Sequence, residues 1–242
     1  MVVTEPALSG LSAGTAAPII MLSDVIRIYR EADVETIALR GIDLEIAPGE
    51  FVAIMGRSGS GKSTLLQLLA GSDRPTAGRV IVDGIDLSRA DESDRARLRG
   101  THVGIVFQSQ NLVPFLDLEE NLVLAAHLAG RPIDAAQARG ILGRVGLEDR
   151  SSHRPGQLSG GEQQRAALAA VLVTGAPILL ADEITGELDS KTAAQLLELL
   201  VEHHRETGMT LVLATHDPEV AARADRVVEL RDGRVVADRR SR

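Results

Sequence analysis

The chain reads as an α/β protein with a mainly parallel sheet, and three observations lead there. Short apolar strand candidates at Phe51–Met55, Ile178–Ala181 and Thr210–Ala214 are separated by stretches of helical spacing. That alternation builds a parallel sheet flanked by helices. The first candidate runs straight into a Gly/Ser loop, Gly56–Thr64, and then a helical pattern, Thr64–Ala70. From about Asn111 to Gly156 strand patterns disappear and helical spacing takes over, which marks a helical insertion.

Taken in order, residues 1–18 are rich in Ala, Ser, Gly, Thr and Pro and read as a flexible tail. Residues 19–242 then form one domain. Met21–Tyr29 and Gly41–Ile46 alternate apolar and polar residues, as half-buried strands do, and Pro48-Gly49 marks the turn that follows. Phe51–Met55 is apolar throughout, which suits a strand covered on both faces. Arg79–Asp83 with Gly84 reads as strand and turn, and His102–Phe107 as a further strand. In the insertion, Leu122, Leu124, Ala125 and Leu128, then Ala135, Ala138, Ile141, Leu142 and Val145, carry the helical period. Leu196, Leu199 and Leu200 share one face of a later helix, with Asp189 or Ser190 as its cap. Arg226–Glu229 is the last strand candidate. No internal repeat is present.

Composition narrows the function. The net charge of −8 over 242 residues argues against the broad basic footprint of a nucleic-acid binder. Only three Phe, one Tyr and no Trp are present, which leaves little with which to stack single-stranded bases. No nucleic-acid partner is expected. With no cysteine, disulfides, thiolate metal sites and cysteine nucleophiles are excluded. No apolar run reaches the roughly 18–20 residues of a membrane helix, so the expectation is a cytoplasmic protein that meets a membrane through a partner.

The loop GRSGSGKST matches G-x-x-x-x-G-K-[ST] in the strand–loop–helix context that its chemistry needs. Gly56, Gly59 and Gly61 allow backbone conformations in which successive N–H groups converge on phosphate oxygens. The following helix adds its positive end. Gly56, Arg57, Ser58, Gly59, Ser60, Gly61, Lys62, Ser63 and Thr64 are therefore assigned to phosphate binding. Lys62 would reach the β/γ-phosphates and Ser63 would offer its hydroxyl to Mg²⁺. The strand Ile178–Ala181 ends in Asp182 and Glu183. A carboxylate at a strand end orders Mg²⁺ through its shell, and the adjacent Glu183 is placed to polarise a water. A nucleoside triphosphate with Mg²⁺ is the implied ligand.

LSGGEQQR at Leu158–Arg165 resembles the signature sequence of ATP-binding cassette (ABC) ATPases, and other motifs follow in that family's order. The resemblance implies a P-loop nucleotidase core, an N-terminal antiparallel β subdomain and a helical signature subdomain over about 109–165. It implies ATP and Mg²⁺, with Ser159, Gly160, Gly161 and Glu162 meeting an ATP held by a second copy, hence a homodimer closed around two ATPs. Gln108 looks like the Q-loop glutamine, which senses the γ-phosphate and Mg²⁺ and so joins the catalytic and metal sets. Asp189 looks like the D-loop aspartate, His216 like the switch histidine on the γ-phosphate, and Tyr29 like the aromatic that stacks on adenine. Lys62, Gln108, Glu183 and His216 form the implied catalytic set, and Ser63, Gln108 and Asp182 the metal set.

Shorter matches, among them Gly49-Glu50-Phe51, Gln110-Asn111-Leu112-Val113-Pro114 and Thr185-Gly186, resemble the branch serving lipoprotein release, macrolide export, peptide resistance and cell division. In that branch the ATPase works from the cytoplasmic face of the membrane on a separate permease chain. The same cassette also serves regulators of cell-wall hydrolases, and less often soluble non-transport ATPases. Four positions depart from the pattern: Arg57 and Ile184 where Pro is usual, Glu187 for Asn, and Ala170 for Arg. Leu112, Val113, Phe115 and Leu116 either line a docking groove for the permease or pack the helical subdomain.

Overall fold

A computed structural model describes residues 17–32, 34–106, 112–186 and 188–241. The expected roles of the tail, of Gln108 and of Glu187 lie outside these residues, apart from positions 17 and 18 of the tail.

Two sheets organise the chain. A four-stranded antiparallel sheet has the order β2-β1-β4-β5, with β1 at Ile20–Glu31, β2 at Val34–Ile46, β4 at Ala77–Val82 and β5 at Ile85–Asp86. A six-stranded sheet has the order β10-β9-β3-β8-β7-β6. Its strands are β3 (Phe51–Met55), β6 (Val103–Val106), β7 (Ile178–Asp182), β8 (Thr210–Thr215), β9 (Arg226–Arg231) and β10 (Arg234–Arg240). All its pairings are parallel except β9 with β10. The mainly parallel core and the antiparallel N-terminal sheet are thus as expected.

The continuously apolar runs make sense because both faces of the second sheet are covered. On β3, Val52 and Ile54 enter one core while Phe51 and Ala53 enter the other. Likewise Leu180 and Val212 join the first core, and Leu179 and Leu213 the second. Period-two alternation therefore sorts apolar residues between two cores. The first core includes α1 (Lys62–Leu69) and the antiparallel sheet; the second includes α6 (Ser190–Thr207). Phe51 also meets the His204 ring, centroids 5.8 Å apart.

A third core belongs to the helical insertion. Leu118 and Leu122 of α3 (Leu118–Leu128) meet Ala138 and Leu142 of α4 (Ala135–Arg144), and Ala166 and Ala169 of α5 (Gly160–Leu172). All three helices start with a capping box: Asp117 with Glu120, Asp134 with Gln137, and Ser159 with Glu162. Each cap is worth about 1 kcal/mol. Buried Asn121 accepts from Val113 N–H at 2.7 Å and donates to the Val113, Leu116 and Asp117 carbonyls. It fastens the preceding loop to α3. In that loop Leu112 packs on the third core, whereas Phe115 is 69% exposed.

Several elements differ from expectation. β2 begins at Val34 rather than Gly41, because the chain turns back immediately after β1 as a hairpin. Asp83 is not strand but turn, with φ 47°. Helix α2 (Glu92–Thr101) has no sequence counterpart above: it is mostly polar, buries only Arg95 and Leu98, and is started by Asp91 accepting from Asp94 N–H. Strand β10 was equally hidden, since most of its residues are exposed. The short helix α7 (Pro218–Ala221) follows the Asp217 cap.

Candidate active site

Strand register assembles the site. Met55 is opposite Thr215 in the β3–β8 pair, and Asp182 is opposite Ala214 in the β7–β8 pair. The residues leaving these three strand ends, Gly56, His216 and Glu183, are therefore neighbours. Carboxyl ends of parallel strands are where α/β sheets bind ligands.

The loop from Gly56 is shaped by close approach. A Cβ on Gly56 would collide with Ser60 and with the Leu230 carbonyl, and Gly61 (φ 105°) with the Ala38 carbonyl. Arg57, Ser58 and Gly59 are exposed along the loop. Ser60 turns its hydroxyl inward, buried and without a hydrogen-bond partner, and gives its carbonyl to Gly233 N–H at 3.1 Å. Gly61 N-caps α1. Ser63 is exposed on the first turn, next to Thr64.

Lys62 is only 5% exposed. Its Nζ donates to the Gly56 carbonyl at 2.9 Å and the Arg57 carbonyl at 3.3 Å, and lies 3.2 Å from Glu183 Oε1. His216 Nδ1 is 3.4 Å from the same oxygen. Burial acts to raise the Glu183 pKa, but the hydrogen bond and charge of Lys62, then His216, outweigh it and hold the carboxyl below its ordinary value. Glu183 has φ 47°, a left-handed conformation costly for a residue with a Cβ. Such strain concentrates at functional sites.

Asp182 differs. Burial pushes its carboxyl up; the Ser63 hydroxyl bond opposes this, and the Glu183 charge adds to it. Its Oδ1 is buried with no hydrogen-bond partner. A buried carboxylate oxygen left unpaired beside a hydroxyl suits the outer surroundings of a hard cation. Among the described residues no cluster of three His, Cys, Asp or Glu could hold a metal.

A cavity of about 820 Å³ opens beside the loop, lined by Met55 to Ser60, His216 and the β9–β10 hairpin, including Glu229, Arg231, Asp232 and Arg239. The hairpin residues were missed by sequence reasoning. The available signal was Asp232-Gly233, a two-residue turn pattern flanked by alternating apolar residues.

Ser159, Gly160, Gly161, Glu162 and Asp189 do not line this cavity. They gather at the N-termini of α5 and α6. Ser159 Oγ donates to Glu162 Oε2 at 2.8 Å, and the Ser159 N–H donates to the same oxygen at 2.8 Å. Together these hold the half-buried Glu162 carboxyl below its ordinary range. Asp189 accepts from the Lys191 and Thr192 N–H groups and from Thr192 Oγ1 at 2.6 Å. Its carboxylate is engaged in capping α6. Gly161 ties the two helix ends together: a Cβ there would lie 2.8 Å from Thr192 Cγ2. Tyr29 also stands apart from the cavity, on β1 opposite Thr36. Ile184 and Ala170 are buried in the second and third cores.

A phosphate loop between a parallel strand and a helix, with an acidic pair closing a neighbouring strand, defines a P-loop nucleotidase. The family model described as ABC transporter matches residues 39–186, and the chain belongs to that family, whose cassettes bind and hydrolyse ATP. The chain is 48% identical over 223 residues to the "Macrolide export ATP-binding/permease protein MacB" of Hyphomonas neptunium, covering 91% of this chain and 34% of that protein. The protein of the same name from Rhodopseudomonas palustris is 47% identical over 226 residues, covering 93% and 34%. The chain thus spans about a third of the length of these relatives. A dimeric ATP-binding cassette in a post-hydrolysis state, bound to ADP and Pi, superposes with a TM-score of 0.87 at 38% identity, covering 92% of this chain and 99% of that one. CbiO1 from Clostridium perfringens, part of the CbiONQ transporter complex, gives 0.77 at 31%, covering 92% and 88%. No described helix is long and apolar enough to cross a membrane.

Proposed function

We propose that residues 19–242 act as one cassette that binds ATP with Mg²⁺ and hydrolyses it in a head-to-tail dimer. The cycle drives a permease, a separate integral membrane chain, from the cytoplasmic face, in export or extraction of a lipid, lipoprotein, peptide or drug. The observation that carries the hydrolytic reading is the convergence of Lys62 Nζ and His216 Nδ1 within 3.4 Å of one Glu183 carboxylate oxygen, beside three adjoining strand ends.

The residues divide the work. Loop N–H groups from Gly56 to Thr64 and the α1 end bind phosphate oxygens. Mg²⁺ when bound supplies charge to the phosphates, and Ser63 and Asp182 are the residues to hold it. Lys62 shares its charge between Glu183 and the γ-phosphate. As the ammonium turns toward phosphate, the influence holding Glu183 acidic weakens and its carboxylate becomes a better proton acceptor for the attacking water. His216 donates to the developing charge. Gln108 completes the phosphate and metal contacts by resemblance alone, and Tyr29 stacks on adenine.

The signature group supports a two-chain site. Ser159 and Gly160 are exposed at the start of α5, away from the cavity. A helix N-terminus open to solvent offers N–H groups to phosphate, here the ATP of the opposite copy, with Gly161, Glu162 and Asp189 fixing its position. Closure of the dimer is then linked to ATP binding and its release to hydrolysis. The test is Glu183→Gln. It should bind ATP with little change while single-turnover phosphate release falls about 100- to 1,000-fold. Unimpaired phosphate release would remove Glu183 from the mechanism.

A further inference from the structure

Tyr29 does not stand alone on β1. Its hydroxyl donates to Asp73 Oδ2 at 2.9 Å. Arg27 Nε donates to that same oxygen at 2.7 Å, and its guanidinium carbon lies 4.3 Å from the centre of the Tyr29 ring. One carboxylate oxygen therefore holds the phenol and the cation that covers one face of the ring. The Arg27–Asp73 pair is about four-fifths buried, with side chains 21% and 20% exposed. At that burial the pair is less screened than a surface salt bridge.

Asp73 is itself anchored. It follows the end of α1, whose first residue is Lys62. Its backbone carbonyl accepts from Arg95 at 3.1 Å. Arg95 is 2% exposed and also donates to the Gly71, Leu87 and Ala90 carbonyls. The Asp73 N–H bonds back to the Gln67 carbonyl at 3.2 Å. The carboxylate thus sits at a fixed offset from α1, about 12 Å long at 1.5 Å per residue, with the phosphate loop at its other end.

We infer that Asp73 and Arg27 are positioning residues for the nucleotide base: they lock the Tyr29 ring at a set distance from the phosphate loop and leave one face for adenine. The inference rests on the reading of Tyr29 as the adenine platform. Arg27 contributes beyond restraint. A cation on one ring face draws electron density toward it, leaving the opposite face more favourable to an electron-rich purine. Fixing the ring beforehand also removes an ordering cost from binding. Neither residue touches phosphate, so the device acts on the base-dependent part of affinity only.

The test compares affinities of the full chain for ATP and for inorganic tripolyphosphate, which lacks the base. Tyr29→Ala should lower the ATP-to-tripolyphosphate affinity ratio about 5- to 150-fold, the range for loss of one base stack. Asp73→Ala and Tyr29→Phe should each lower it about 3- to 10-fold, the range for the net contribution of a typical hydrogen bond. Combined, these two should lower it no further than Asp73→Ala alone. Tyr29→Phe leaves every other Asp73 bond intact, so it keeps the test valid should Asp73→Ala fold poorly. As Tyr29 is the only tyrosine and there is no Trp, emission reports on it alone. A carboxylate that accepts the phenol proton quenches it, so Asp73→Asn should brighten the free protein. A ratio that falls in Tyr29→Ala but not in Tyr29→Phe or Asp73→Ala would overturn the clamp and leave stacking intact. A ratio unchanged even in Tyr29→Ala would overturn both.

Discussion

Replacing Gly161 by Ala isolates the contact between the signature helix and the helix that Asp189 caps. The new methyl would lie 2.8 Å from Thr192 Cγ2, below the 3.0 Å that real Cβ contacts respect. Thr192 cannot rotate away freely, because its Oγ1 donates to the exposed Asp189 carboxylate at 2.6 Å. Overpacking costs about 1–3 kcal/mol, against about 1 kcal/mol gained by Ala over Gly in a helix. The net expectation is a loss of up to about 2 kcal/mol, or up to roughly 8 °C in Tm for a domain of this size. Thr192→Ser keeps the hydroxyl and deletes the offending methyl. In that background Gly161→Ala should be neutral or stabilising, giving a coupling of about 1 kcal/mol or more in a double-mutant cycle. Differential scanning calorimetry on the four proteins reads it. A stabilised Gly161→Ala single variant, or a loss that Thr192→Ser fails to relieve, would refute the reasoning.

Other expectations follow from the same geometry. Asp182 carries a raised pKa through burial, so its charge costs folding stability at neutral pH and stability from it rises as pH falls through its native value. Asp182→Asn should therefore raise Tm of the free protein while removing the extra Tm that Mg²⁺ adds in the presence of ATP. Glu162, Asp189 and Asp238 are held below their ordinary values by Ser159, Thr192 and Arg226 respectively. Their contribution is full above an unfolded pKa of about 4 and is lost as pH falls through their lower native values; urea titrations between about pH 5 and 2 should show declining stability. Arg95→Met strips charged donors from carbonyls of Gly71, Asp73, Leu87 and Ala90, and should cost about 3 kcal/mol, near 6–12 °C in Tm.

What the sequence made legible divides along physical lines. The phosphate loop could be read because its chemistry demands particular residues at fixed spacing, and the apolar strands because burial on both faces leaves no polar positions. Helices α3 and α4 were readable from their apolar spacing, whereas their capping boxes and that of α5 were not read, although Asp or Ser followed three residues later by Glu or Gln is the signal. Helix α2 and strand β10 were hidden because little of either is buried. Proximity was hidden too. That Asp73 would meet Tyr29 across 44 positions, or that the β9–β10 hairpin would wall the cavity, depends on strand order rather than on local pattern. Asp189 shows the converse: the residue was readable both as a helix cap and as a member of the site, and its cap bonds are those observed.

The central claim is that two chains enclose ATP between the phosphate loop of one and the signature helix of the other. Sedimentation of Glu183→Gln with Mg²⁺ and ATP tests it most directly, alongside the same variant carrying Ser159→Arg. The expected result is a dimer for Glu183→Gln that reverts to monomer without nucleotide, and a monomer that still binds ATP once Ser159→Arg is added. A Glu183→Gln protein that remains monomeric at saturating ATP, or a dimer indifferent to Ser159→Arg, would contradict it.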